Sequence, residues 1–121
     1  MIRLTDARED ALRVGYDATD WVRKPPYGDY EDALTDWTVR LMEADGEAIG
    51  AVYTNGPEFH VSVVPDWRSR WATRRTLRKI IPEPDAMTRV TPGFDHVGGY
   101  LERLGFEHRG CGIFVRLNHG H

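Results

Sequence analysis

Two short turn signals, Asp45-Gly46 and Asn55-Gly56, constrain this chain more than any other feature. Each stands between strand-like runs, at residues 37–43, 47–53 and 59–64. Asp-Gly and Asn-Gly accept the positive φ angles that tight hairpins demand, so the spacing predicts a three-strand antiparallel meander. Pro65 and Asp66 end it.

Other elements flank the meander. Residues 2–4 read as a short strand. Thr5 or Asp6 is expected to cap a helix over 7–14, with Arg8, Glu9, Asp10 and Arg13 on its wet side. Pro25-Pro26 and Gly28 break regular helix, so residues 20–29 are expected to form an aromatic loop, followed by a short helix over 30–36. After the meander, the pattern predicts a helix over 68–81, stopped by Pro82 and Pro84. On it, Leu77, Ile80 and Ile81 share a side with Arg70 and Thr73, and Trp67, Trp71, Arg74 and Arg78 form a neighbouring stripe. A strand over 86–91 follows, then a helix over 95–104 with Val97, Tyr100, Leu101 and Leu104 on one face and Gly105 as its stop. Strands near 106–108 and 113–117 close the chain. The predicted order is β-α-α-β-β-β-α-β-α-β-β, an α/β (α+β) arrangement.

At 121 residues this is expected to be one domain, with 118–121 as a loose tail. No apolar run is long enough for a membrane span, and the first residues lack the apolar stretch of a signal peptide. Cys111 is the sole cysteine, so an internal disulfide is excluded and a reducing cytoplasm is the expected location. Lying between Gly110 and Gly112, it is read as inert. His119 and His121 supply two terminal imidazoles, too few for a metal site. Charge is unevenly spread. Residues 1–60 carry thirteen acids against six Lys/Arg, and residues 61–121 carry six against ten. Six of those ten fall within 68–79, a local basic segment suited to a discrete anionic ligand rather than to long nucleic-acid contacts.

Two segments carry a family resemblance. Tyr100-Leu101-Glu102-Arg103-Leu104-Gly105-Phe106 resembles the helix-end signature of the GNAT (GCN5-related N-acetyltransferase) superfamily, and Val61-Ser62-Val63-Val64-Pro65 followed by Arg68 resembles its acyl-CoA strand and loop. The resemblance covers about residues 37–117 and implies a mixed, mostly antiparallel sheet flanked by helices. It further implies acetyl-CoA as cofactor, held by Val63, Val64 and the loop Arg68-Ser69-Arg70-Trp71-Ala72-Thr73 with Arg74. In that loop the family places glycines where Trp71 and Thr73 stand here, so backbone approach to a pyrophosphate is obstructed at Trp71. Either Arg70, Arg74, Arg75 or Arg78 compensates through side-chain contacts, or the coenzyme site is lost. The run Trp67-Arg68 with Arg74-Arg75 and Arg78-Lys79-Ile80-Ile81 is also similar to small GNAT-like proteins of tailed phages. That similarity implies a noncatalytic virion or assembly protein with a phage or host protein partner, in the host cytoplasm or the virion.

Acetyl transfer requires a base for the attacking amine and an acid for the departing thiolate. Glu58, His60 and Ser62 alternate with Phe59, Val61 and Val63, which puts Glu58 and His60 on one face as candidate bases. The family's acid position falls on Leu101, and Tyr100, one residue earlier, is the candidate acid. Trp21, Tyr27, Tyr30 and Thr91 are expected to line a pocket for a small-molecule or protein amine, which the acidic first half would favour as a cation.

Overall fold

The computed structural model describes residues 2–19, 21–81, 86–89, 95–110 and 112–116; for Arg74, Asp95, His96, Gly98 and Tyr100 the description covers backbone alone. The chain runs β1 (Ile2–Thr5), α1 (Arg8–Ala18), α2 (Tyr27–Ala33), β2 (Thr38–Ala44), β3 (Glu47–Asn55), β4 (Glu58–Val63), a single 3-10 turn (Pro65–Trp67), α3 (Arg74–Ile80), β5 (Ala86–Arg89), α4 (Asp95–Arg103), β6 (Glu107–His108) and β7 (Ile113–Arg116). Among the described residues the strands form one sheet ordered β1-β2-β3-β4-β5-β7-β6.

The predicted meander is present. Asp45 and Gly46 adopt φ of 52° and 82°, and Gly56 adopts 58°, so both hairpins use the left-handed backbone their sequences favour. β3 is central and buried on both sides. Ile49 and Val52 join the larger core with Met42, Phe59, Val63, Leu77, Ile80, Leu101 and Phe114. Ala51 and Tyr53 face the other way, into a second core with Ala11, Leu12, Tyr30, Val39 and Leu41. Gly50 lets β3 and β4 close up, because a Cβ there would lie 2.5 Å from the Ser62 carbonyl oxygen.

Three helix expectations are corrected. α1 runs four residues past the predicted end, to Ala18. Gly15 within it lets the helix settle on the sheet, since a Cβ at 15 would collide with the Tyr53 hydroxyl. Its side-chain cap is also absent: Ala7 is the N-cap residue and offers no side-chain acceptor. Arg8, expected on the wet side, instead donates to the carbonyls of Trp37 (2.6 Å) and Leu34 (2.8 Å), tying α1 to the start of β2. α2 begins at Tyr27, directly after Pro26, and contains Gly28. A proline just outside a helix loses nothing by lacking an N–H, and burial of Tyr30 holds the turn in place.

The predicted helix over 68–81 is two pieces. Thr73 has extended angles (φ −115°, ψ 163°) and its hydroxyl accepts from the Thr76 N–H, so α3 starts only at Arg74. Residues 68–73 instead fold inward and bury Trp71 and Ala72 against Leu77 and Ile80. The proposed Trp67–Trp71–Arg74–Arg78 stripe therefore does not exist as one helical face. The strand expected over 86–91 is described as far as Arg89. α4 ends as read, with Gly105 at φ 94° and the Phe106 N–H bonded to the Leu101 carbonyl at 3.0 Å.

Candidate active site

β4 has two unlike edges. Toward β3 it is paired at six rungs, from Asn55↔Glu58 to Gly50↔Val63. Toward β5, which runs parallel, the described residues share the single rung Glu58↔Met87, supported by a bond from the Met87 N–H to the Pro57 carbonyl at 2.9 Å. Among the described residues no further rung joins the two strands, and an opening lies between them. The Val64 N–H donates to Ile49 at 2.8 Å, and donors alternate along an antiparallel ladder. The N–H groups of Ser62 and His60 thus face β3, and those of Val61 and Val63 face the opening.

A cavity of about 220 Å3 fills this wedge. Its apolar walls include Phe59, Val61, Val63, Trp71, Leu77 and Leu101, and its polar groups are Thr19, Ser62, Arg68, Thr88 and Arg89. Arg68 braces the mouth: Nε donates to the Val63 carbonyl (3.1 Å) and Nη2 to the Ala18 carbonyl (2.7 Å), linking the end of β4 to the end of α1. These charge-assisted bonds engage Arg68 with the protein itself.

One wall of the cavity is the end of a buried hydroxyl chain. Tyr30 donates to the Leu12 carbonyl (2.8 Å) and its oxygen meets the Tyr53 hydroxyl at 2.9 Å. Tyr53 bonds Ser62, Ser62 meets Thr19 at 3.0 Å, and Thr19 donates to the Gly15 carbonyl (2.7 Å). Four hydroxyls, with one proton each, share these five contacts, so every proton is engaged within the chain. At the cavity wall Ser62 and Thr19 accordingly offer lone pairs and no spare proton, so the wall receives a hydrogen-bond donor. Burial raises the Tyr53 phenol above its ordinary value, partly offset by its hydrogen bonds with Tyr30 and Ser62. The Tyr30 phenol is likewise raised, by burial first and then by the bond to Tyr53.

The structure brings Glu58 and His60 together. Their side chains, both partly exposed, meet at 2.5 Å, and the imidazole lies 5.8 Å from the Trp37 ring. They stand on the α1 side of β4, on the same face as Ser62 and outside the cavity lining. Trp21, Tyr27 and Tyr30 are also brought together, with Tyr16: ring centroids lie 5.1 to 5.9 Å apart, and the Trp21 indole donates to the Tyr16 carbonyl at 2.9 Å. This cluster packs over α1 and does not line the wedge. Thr91 and Cys111 lie outside the described residues, and so do the side chains of Tyr100 and Arg74. Among the described residues no group of three or more His, Cys, Asp or Glu side chains could hold a metal.

Of the expected coenzyme residues, Val63, Arg68 and Trp71 line the wedge. Val64 is not part of its lining, and its N–H is spent on β3. Ser69, Arg70 and Thr73 point outward as exposed residues, and Ala72 is buried. Sequence reasoning missed Thr19, Thr88 and Arg89. Thr19 carried no signal, because the helix that presents it was read as ending at residue 14.

The loop that the resemblance assigns to a pyrophosphate is folded onto itself. N–H groups of Arg70 and Trp71 both bond the Trp67 carbonyl (3.0 Å each), Arg68 bonds Pro65 (3.3 Å), and Thr73 bonds Trp71 (3.1 Å). The guanidinium of Arg70 lies 4.0 Å over the Trp67 ring. The N–H groups of Arg68, Arg70, Trp71 and Thr73 are thus turned to carbonyls of their own segment and do not fit a diphosphate.

With β4 and β5 parallel inside an otherwise antiparallel seven-stranded sheet, the described residues have the fold of the N-acetyltransferases of the GNAT superfamily. Comparison with solved structures bears this out, with 45 matching chains. They include an N-acetyltransferase from Staphylococcus aureus Mu50 (TM-score 0.65, 13% identity, covering 98% of this chain and 97% of that one). The spermidine/spermine N-acetyltransferase SpeG of Vibrio cholerae matches with a TM-score of 0.64 at 13% identity, over 95% of this chain and 90% of that one. The alanine N-acetyltransferase of ribosomal protein S18 from Escherichia coli gives 0.61 at 12%, over 95% and 91%. No family model matches the sequence, and no curated protein matches it. The likeness is one of fold.

Proposed function

We propose that the protein is an N-acyltransferase that takes an acyl thioester into the β4/β5 wedge and passes the acyl group to an amine arriving from the α1 side. One observation carries this reading. The N–H groups of Val61 and Val63 are directed away from β3 toward a cavity whose wall at Thr19 and Ser62 accepts hydrogen-bond donors. Bound acetyl-CoA would supply an activated acyl group there. Val61 and Val63 are the donors available to its carbonyl oxygen, the interaction that most lowers acyl-transfer barriers. Ser62 and Thr19 accept from the N–H of an acceptor amine. Glu58 and His60, which flank the cavity, take the amine proton through water as the C–N bond forms and the C–S bond breaks, and the thiol departs as its thiolate, protonated by solvent.

The test is transfer of labelled acetyl from acetyl-CoA and from S-acetylpantetheine to a panel containing spermidine and a lysine-rich peptide. Transfer is expected with at least one acceptor, and His60→Gln is expected to lower its rate by about 100-fold or more. The reading is wrong if neither thioester, at millimolar concentration, produces heat on titration or a shift in melting temperature.

A second reading is favoured by the closed loop with Trp71 buried in it. In that reading the fold is kept without catalysis and binds a phage or host protein through exposed Arg70, Arg75 and Arg78. It predicts that Arg75→Glu/Arg78→Glu abolishes capture of a defined partner, with no thioester binding by the parent protein.

A further inference from the structure

We infer that this protein recognises its acyl donor by the thioester arm alone and that the nucleotide end of coenzyme A adds no affinity. The inference rests on the acyltransferase reading and narrows its donor. A diphosphate is held in a loop of this kind by backbone N–H groups that point outward and by a helix N-terminus behind them. Here the N–H groups of Arg68, Arg70, Trp71 and Thr73 bond carbonyls of the same segment. That of Thr76 is capped by the Thr73 hydroxyl at 3.1 Å, and that of Leu77 is bonded to the Thr73 carbonyl at 2.9 Å. α3 has seven residues, so little dipole stands behind the loop.

Opening the loop would require more than rotating exposed side chains. Trp71, 8% exposed, packs in the main core and forms part of the wedge wall. Outward rotation of residues 70–73 would withdraw the indole from that wall and enlarge the cavity that holds the arm. Arg68 braces Val63 and Ala18, and Arg70 stacks on Trp67, so neither side chain reaches a phosphate without leaving its present partner. The wedge is untouched by these constraints. Its two inward N–H groups and apolar walls suit an extended, amide-bearing thioester arm, which can pair with the open edge of β4 as an added strand would. The ligand class is a short acyl thioester such as S-acetylpantetheine, free or attached to a larger carrier.

Calorimetric titration of the full chain with S-acetylpantetheine, acetyl-CoA and adenosine 3′,5′-bisphosphate tests this. Expected are dissociation constants for the two thioesters within threefold of each other and no heat from the nucleotide. Affinity for acetyl-CoA should also change less than threefold between 50 and 500 mM NaCl as chosen assay conditions, since exposed phosphate contacts would be screened over roughly that range. Acetyl-CoA binding more than 30-fold tighter than S-acetylpantetheine would overturn the inference and leave the acyltransferase reading intact. Nucleotide binding that acetyl-CoA competes away would do the same. If neither thioester binds, both fall.

Discussion

β4 is one strand with two edges that do opposite things. Its edge toward β3 is closed at every rung, and the approach is so tight that only glycine fits at position 50. Its edge toward β5 is held, among the described residues, at one rung and otherwise borders the cavity. Along the closed edge, each backbone donor is consumed by the fold, which fixes the strand's position. Along the open edge, donors held in that fixed position are available to a ligand. A rigid seam is thus what makes the neighbouring gap a site rather than a frayed end.

This contrast can be broken from either edge. Gly50→Val should have the largest effect, because its Cβ meets backbone rather than a flexible side chain: a loss of about 3 kcal/mol, read from the urea midpoint, is expected for overpacking of this kind. On the open edge, Arg68→Met removes the brace between Val63 and Ala18 and should cost about 2 kcal/mol, the range for charge-assisted bonds. It should also weaken S-acetylpantetheine binding as the mouth relaxes, whereas a Gly50 variant that remains folded should lose stability before affinity.

The hydroxyl chain predicts an alkaline effect. The folded-state pKa values of Tyr30 and Tyr53 lie above the ordinary phenol value of 10.0, so their contribution is complete below pH 10. Above it, the unfolded chain releases protons that the folded chain retains. Stability should fall by up to about 1.4 kcal/mol per pH unit for each tyrosine, with a shallower fall in Tyr53→Phe. At neutral pH, Tyr53→Phe should cost about 1 kcal/mol, the usual worth of one buried hydrogen bond. Arg78→Ala, on the exposed face of α3, should change stability by less than about 0.5 kcal/mol. A larger loss there would show that the basic segment belongs to the fold rather than to its surface.

Much of the architecture was legible because it is written in local rules. The paired turns at Asp45-Gly46 and Asn55-Gly56 specify the meander by backbone φ alone. Gly105 ends α4 for the same reason. The helix errors came from applying local rules where packing overrides them. Gly15 looks like a weak point in a helix and is instead the place where the helix touches a phenol. Trp71 sits at helical spacing from Trp67, yet burial of its indole outweighs continuation of the helix.

The candidate site was legible in part. Alternation along β4 put Glu58, His60 and Ser62 on one face, and the structure keeps them there, with Glu58 and His60 in contact. Thr19, Thr88 and Arg89 could not be found in this way, since they reach the wedge from α1 and β5, distant in sequence. The closure of the loop was also unreadable. A tryptophan in a glycine's position signals an obstruction, but not that the neighbouring N–H groups will find partners in the loop's own carbonyls.

The order of helices and strands, the three-strand meander and the oddity at Trp71 were determined by sequence alone, because turns, caps and side-chain periodicity act over a few residues. The tertiary structure decided where β4 and β5 part, which hydroxyls meet across α1 and β4, and that the basic loop closes on itself. Those outcomes depend on which buried group finds a partner across the fold, and no local pattern encodes that choice.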